Sequence, residues 1–97
     1  MSYSNRRNRI ELFYDLLSAI RHESEKEENV KPTRVQYRSN MSYDKMTRYL
    51  TKMENFGLIT RKNGGPKVTD KGQNYLREYK EIDQMVLEIE KKYFTEE

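Results

Sequence analysis

The chain has 97 residues, 34% of them hydrophobic and 36% charged, with a formal charge of +3. That is one domain's worth of chain, and at a mean hydropathy of −1.16 its core must be thin. The absence of Cys and the single His exclude thiol catalysis, disulfides and thiolate metal sites, and leave no cofactor or metal to expect.

Residues 8–23 are predicted to form a helix. Ile10, Phe13, Leu17 and Ile20 recur at three- and four-residue steps, Tyr14 and Leu16 lie beside them, and neither Gly nor Pro interrupts. The acidic stretch Glu23–Asn29 then reads as an exposed loop, with His22 a surface residue at the helix end. Pro32 bars helix just before it, so Thr33 is the expected N-cap of a short second helix, Arg34 to Ser39, with Val35 and Ser39 inward. Asn40-Met41 is a turn, and Ser42 opens a third helix over 43–56. Met46, Tyr49, Leu50 and Met53 line one stripe of it, Phe56 continues the stripe, and Gly57 permits a left-handed stop.

Leu58–Lys62 is a short β-prone run. Asn63-Gly64-Gly65-Pro66 has turn chemistry, with Pro66 expected to stop strand pairing, and Lys67-Val68-Thr69 is the return strand. Thr69 is the expected N-cap of a long helix from Asp70 to about Phe94. Gly72 lowers helix propensity near its start and marks a place for fraying. Tyr14, Tyr49, Tyr75 and Tyr79 fall on apolar stripes and are expected to pack.

Helix, helix, turn, helix, hairpin, long helix is the order of a winged helix-turn-helix: mainly α with a small β-hairpin, followed by a C-terminal coiled-coil helix. Residues 1–72 are the expected DNA-binding body, and 73–97 a dimerisation helix continuous with it. No apolar run approaches the ~20 residues of a membrane span, and no signal-peptide core is present. A cytoplasmic protein is expected, with no membrane partner and no evident small-molecule ligand.

The charge is uneven. Residues 30–72 carry ten basic and three acidic side chains, a balance of +7, while residues 23–29 and 73–97 are each at −3. Such a segment is the electrostatic footprint of a polyanion-binding surface.

The segments Tyr37-Arg38-Ser39-Asn40-Met41-Ser42-Tyr43, Tyr49-Leu50, Gly57-Leu58-Ile59, Val68-Thr69-Asp70-Lys71-Gly72 and Tyr75-Leu76 resemble the small archaeal winged-helix proteins of about ten kilodaltons. The resemblance spans residues 8–93, and Asn-Met-Ser-Tyr is its most specific element. It implies a DNA-binding dimer whose C-terminal helices form an antiparallel coiled coil; a place at the nucleoid is expected of an architectural DNA-binding protein.

On a helical wheel the third helix turns Asp44, Thr47, Arg48, Thr51 and Asn55 outward, with Lys45 and Lys52 on the flank. Arg48 suits guanine O6/N7 and Asn55 suits adenine N6/N7. Lys45, Lys52, Arg34 and Arg38 are expected at phosphates. Ser42 is expected to cap the helix, to donate to phosphate, or both. The Tyr43 hydroxyl lies within reach of phosphate. Asp44 fits the positive helix end better than DNA. Arg61, Lys62 and Lys67 make the wing basic, and Arg6, Arg7 and Arg9 are candidates for an N-terminal arm.

Along the last helix Tyr75, Tyr79, Ile82, Val86, Ile89 and Tyr93 alternate four- and three-residue steps, an a/d seam. Tyr79, Ile82, Val86, Ile89 and Tyr93 are the expected dimer contacts; the spacing alone leaves parallel and antiparallel order open. No nucleophile–base pairing or phosphate-cradling loop points to an enzyme. The functional expectation is a homodimer on double-stranded DNA, as regulator or architectural protein. The alternative is a protein-interaction adaptor that uses the same body without DNA.

Overall fold

The computed structural model describes residues 7–95. The first helix, α1, spans Arg9–Lys26. Asn8 Oδ1 accepts the Glu11 N–H at 2.9 Å, and Glu11 Oε1 accepts the Asn8 N–H at 3.1 Å. This reciprocal pair satisfies two N–H groups that a helix start leaves open. Leu12, Phe13, Leu16, Leu17 and Ile20 form the buried stripe, which makes α1 the spine of the core. The helix continues to Lys26 instead of ending near Glu23. Glu23, expected in an exposed acidic loop, is a helical residue with 5% exposure.

The second helix, α2, spans Pro32–Ser39, with Lys31 and not Thr33 at the N-cap and no side-chain cap. Pro32 is inside the helix because its fixed φ suits the first turn, where an N–H would lack a partner in any case. Asn40 then takes the left-handed conformation, φ 58°. Arg7 closes this end. Its guanidinium donates to the carbonyls of Ser39 (3.0 Å) and Asn40 (3.2 Å) and pairs with Asp15 Oδ2 at 2.6 Å. A cation there also meets the negative end of the helix dipole. Arg7 is thus a fastener of the turn and not part of a free arm; Arg6 lies outside the described residues.

The third helix, α3, spans Tyr43–Asn55. Ser42 Oγ accepts the Lys45 N–H at 3.2 Å, so the cap is made as expected. Met46, Leu50 and Met53 are buried, whereas Phe56 at the C-cap is half-exposed. Gly57 stops the helix at φ 79°. The Leu58 N–H donates to Met53 O at 2.9 Å and the Gly57 N–H to Glu54 O at 3.0 Å, the Schellman arrangement.

Strands β1 (Ile59–Lys62) and β2 (Gly65–Val68) pair antiparallel, Ile59 opposite Val68 and Lys62 opposite Gly65. The turn is therefore Asn63-Gly64. Pro66 does not end the strand; it lies opposite Arg61. In a hairpin this short the Arg61–Pro66 pair is the non-hydrogen-bonded one, so an N–H at position 66 would point away from β1. Gly65 has φ 89°, and a Cβ on it would lie 2.3 Å from Val30 O. The Val30 N–H donates to Gly64 O at 2.9 Å, docking the wing on the loop that precedes α2.

The last helix, α4, spans Asp70–Phe94. Thr69 Oγ1 accepts the Gly72 N–H at 3.1 Å and donates to Gly57 O at 2.6 Å. Gly72 is not a fraying point. It is buried, and a Cβ there would meet Leu58 O at 2.3 Å, so the glycine lets α4 lie directly on the chain leaving α3. Leu76 is buried, Tyr75 donates to Ile10 O at 2.8 Å, and Tyr79 stacks on Tyr14 at 4.1 Å between centroids. From Lys80 onward every described residue is exposed. A helix of 25 residues is about 37 Å long, and its free end gives the molecule its 54 Å length against 27 and 25 Å across. The architecture is a winged helix-turn-helix, mainly helical, with a long C-terminal helix.

Candidate nucleic-acid interface

The buried stripe of α3 fixes which face remains outside. Asp44, Arg48, Thr51, Lys52 and Asn55 are exposed, and Thr47 and Lys45 are partly so. Asp44 sits in the first turn, where a carboxylate meets the positive helix end. The Thr47 hydroxyl donates to Asp44 O at 2.9 Å, and the Thr51 hydroxyl to Thr47 O at 3.2 Å. These backbone bonds fix both threonine rotamers.

Arg61 crosses from β1 to this helix. Its Nε donates to Glu54 Oε1 at 3.2 Å, and its Nη2 to Thr51 Oγ1 at 3.0 Å. The Lys52 ammonium lies 5.0 Å from the Tyr49 ring centroid, an arrangement that steadies a cation without neutralising it. Arg48 and Lys62 are exposed and make no ion pair among the described residues, and Asn55 is exposed. Tyr43 is half-exposed at the start of the helix. Strand alternation puts Arg61 on one face of the hairpin and Lys62 and Lys67 on the other. Lys67 Nζ reaches Glu28 O at 3.5 Å, toward the loop before α2.

The structure thus brings Arg48, Thr51, Lys52, Asn55 and Arg61 together on one surface. Arg34 and Arg38 form a second cluster. Both turn to Glu23: Arg34 Nε lies 3.5 Å from Oε1, and Arg38 Nε lies 3.1 Å from Oε2. Burial pushes the Glu23 carboxyl upward, but the Arg38 hydrogen bond and the charges of Arg34 and Lys26 outweigh it and hold the group below the usual carboxylate range. Tyr37, between the two arginines, is 88% exposed. Glu23 and Tyr37 are not among the site residues expected from the sequence. Neither carries a local signal, because Glu23 reads as one more residue of an acidic run.

The exposed end of α4 carries Ile82, Val86, Ile89 and Tyr93, each more than half-exposed. Met85, at 60% exposure, widens this stripe, and the spacing i, i+3, i+4 from Ile82 was the signal for it. Tyr79 differs from the rest of the seam, being stacked within its own chain. Burial raises its phenol above the ordinary value, helped by the nearby carboxylates of Glu11, Asp83 and Asp15. Among the described residues no helix is long and apolar enough to cross a membrane.

A family model described as winged helix-turn-helix matches residues 6–87. The chain matches no curated protein at a significant level.

Proposed function

The chain belongs to the winged helix-turn-helix family, and from that premise we propose that it binds double-stranded DNA as a homodimer, as a transcriptional regulator or an architectural protein of the nucleoid. The outer face of α3 carries this reading: Arg48 is exposed and makes no ion pair among the described residues, and the Asn55 amide is exposed on the same helix face. An arginine fork and an amide on one helix face match the base edges of a major groove. Lys45, Lys52, Ser42 and Tyr43 flank them at the level of phosphates. Arg61, braced against α3, and Lys62 and Lys67 extend the cationic surface along the wing. Arg34 and Arg38 supply phosphate contacts from α2.

The apolar stripe of α4 is the proposed dimer seam. In a partner it would bury Ile82, Val86, Ile89 and Tyr93, which the chain's own body leaves open. Two joined bodies present two recognition helices at a fixed separation, and each phosphate neutralised steepens the dependence on salt. Titrating a labelled duplex at two salt concentrations tests the reading. Binding at low salt that weakens steeply as salt rises is expected, and no binding at low salt refutes it.

A further inference from the structure

On the reading that the chain binds duplex DNA, we propose that Arg34, Tyr37 and Arg38 form one phosphate-binding clamp on α2, with Glu23 as the residue that positions its two guanidinium groups. The three side chains stand at i, i+3 and i+4 on one face of α2. With Glu23 they line a recess of about 210 Å³.

The carboxylate comes from α1 and is only 6% exposed at its side chain. It uses one oxygen for each arginine, and each arginine meets it through Nε. Among the described residues, no Nη group of Arg34 or Arg38 makes a hydrogen bond. The arginine side chains remain 59% and 39% exposed. A guanidinium has five N–H donors in a planar fork. Anchored at Nε, it keeps its Nη donors for an outside acceptor with four oxygens and a negative charge. The Tyr37 hydroxyl adds a donor beside them.

Charge supports an anionic occupant. Two guanidiniums against one carboxylate, with Lys26 near it, leave the cluster net cationic, the sign a phosphodiester requires. A carboxylate held out of water adds no apolar packing and persists only because both its oxygens are satisfied. What it adds is orientation: it removes the freedom of two long side chains before a phosphate arrives.

The test uses the full chain, a labelled duplex and a salt series. Glu23→Gln removes a negative charge, so screening alone would tighten binding. Positioning predicts the reverse, a loss of about 10- to 150-fold, the scale of a charge-assisted hydrogen bond. The slope of log K against log salt should fall by about 0.9, one phosphate's worth, in Glu23→Gln and equally in the double variant Arg34→Ala/Arg38→Ala. Glu23→Gln should add nothing in that double background. Tight binding by Glu23→Gln, a further loss in the double background, or a slope change of about 1.8 overturns the clamp.

Arg34→Lys/Arg38→Lys keeps the charge but not the fork: an ammonium is a point charge on a flexible stem, without the separate Nε and Nη donors that hold Glu23 on one side and present a rigid edge on the other. It should lose affinity as well, and wild-type affinity overturns the proposal even if Glu23→Gln fails to fold. Arginine Nε–H resonances identify the source of the anion. A shift at one equivalent of duplex supports the clamp, and a shift with inorganic phosphate at matched ionic strength but not with duplex overturns it. If the wild-type chain binds no duplex, the functional reading falls and the clamp with it. Tight wild-type binding with tighter Glu23→Gln binding removes the clamp alone.

Discussion

Arg61 on β1 donates a hydrogen bond from Nη2 to the Thr51 hydroxyl on α3, at 3.0 Å. The wing and the proposed recognition helix are joined by this bond and by the Arg61–Glu54 pair at 3.2 Å. Both lie at the surface, where such pairs contribute about 0–1 kcal/mol. Arg61→Ala should therefore barely change unfolding in urea. It should weaken duplex binding clearly more than it destabilises the fold, because it removes a cation from the proposed binding surface. Equal small losses in both measurements would reduce Arg61 to a structural brace.

Arg48 and Asn55 should read bases. Replacing Arg48 by Ala is expected to cost about 1–3 kcal/mol of affinity for a preferred site and much less for random duplex. Lys52→Ala should instead weaken both alike and lower the salt slope by about 0.9. Selection from a random duplex pool supplies the site, and parallel titrations separate the two behaviours. If Arg48→Ala acts like Lys52→Ala, α3 tracks the backbone without reading sequence.

These residues were legible in the sequence because their placement depends on local rules. Met46, Leu50 and Met53 at helical spacing, Ser42 before them and Gly57 after them determine both the helix and its outer face. The turn chemistry of Asn63–Pro66 marks the hairpin in the same way, although the return strand begins at Gly65 and not after Pro66. Long-range partners were not legible. Glu23 is buried where α2 packs across it, Arg7 is drawn inward by carbonyls more than thirty residues away in sequence, and Gly72 is needed because Leu58 O and the Val68 side chain lie over it. The cap at Asn8 is different: it rests on a local Asn-x-x-Glu spacing that the sequence itself displays.

Gly65 should tolerate no side chain. Its φ of 89° is costly for any L-residue, and a Cβ would fall 2.3 Å from the Val30 carbonyl oxygen, which is backbone and cannot swing aside. Gly65→Ala is expected to destabilise by about 1–3 kcal/mol and to undock the wing from the loop before α2. Loss of amide-exchange protection at Val30, whose N–H donates to Gly64 O, should accompany the lower midpoint in urea. Unchanged stability would contradict the hairpin geometry.

The Glu23 carboxyl, pulled below its ordinary range by Arg38 and Arg34 against the effect of burial, makes stability depend on pH. The unfolded state takes up this proton first as pH falls. The carboxylate's contribution is therefore complete above the ordinary carboxylate range and disappears as pH drops through the lower folded-state value. Glu23→Gln should be less stable than wild type near neutrality, and the two should converge in acid. Thermal unfolding from pH 7 to pH 2.5 checks this, and a constant difference across that range would mean that Glu23 is not the titrating group.

The free end of α4 should be the dimer seam. Ile82, Val86 and Ile89 are each more than 50% exposed in one chain, and fully burying a side chain of this kind contributes roughly 1.5–3 kcal/mol. Changing all three to Lys places six cations in a symmetric pair and removes its apolar contact. Sedimentation should show a dimer for wild type and a monomer for this variant. The body should survive, because Leu76 and the Tyr14–Tyr79 stack hold the first half of α4 on α1 independently of the seam. Near-wild-type circular dichroism from the body with a lost second-chain interaction is the expected pair of results. Duplex affinity should then fall toward that of a single winged helix, since the second recognition helix no longer arrives with the first. A variant that remains dimeric would move the interface elsewhere on the chain.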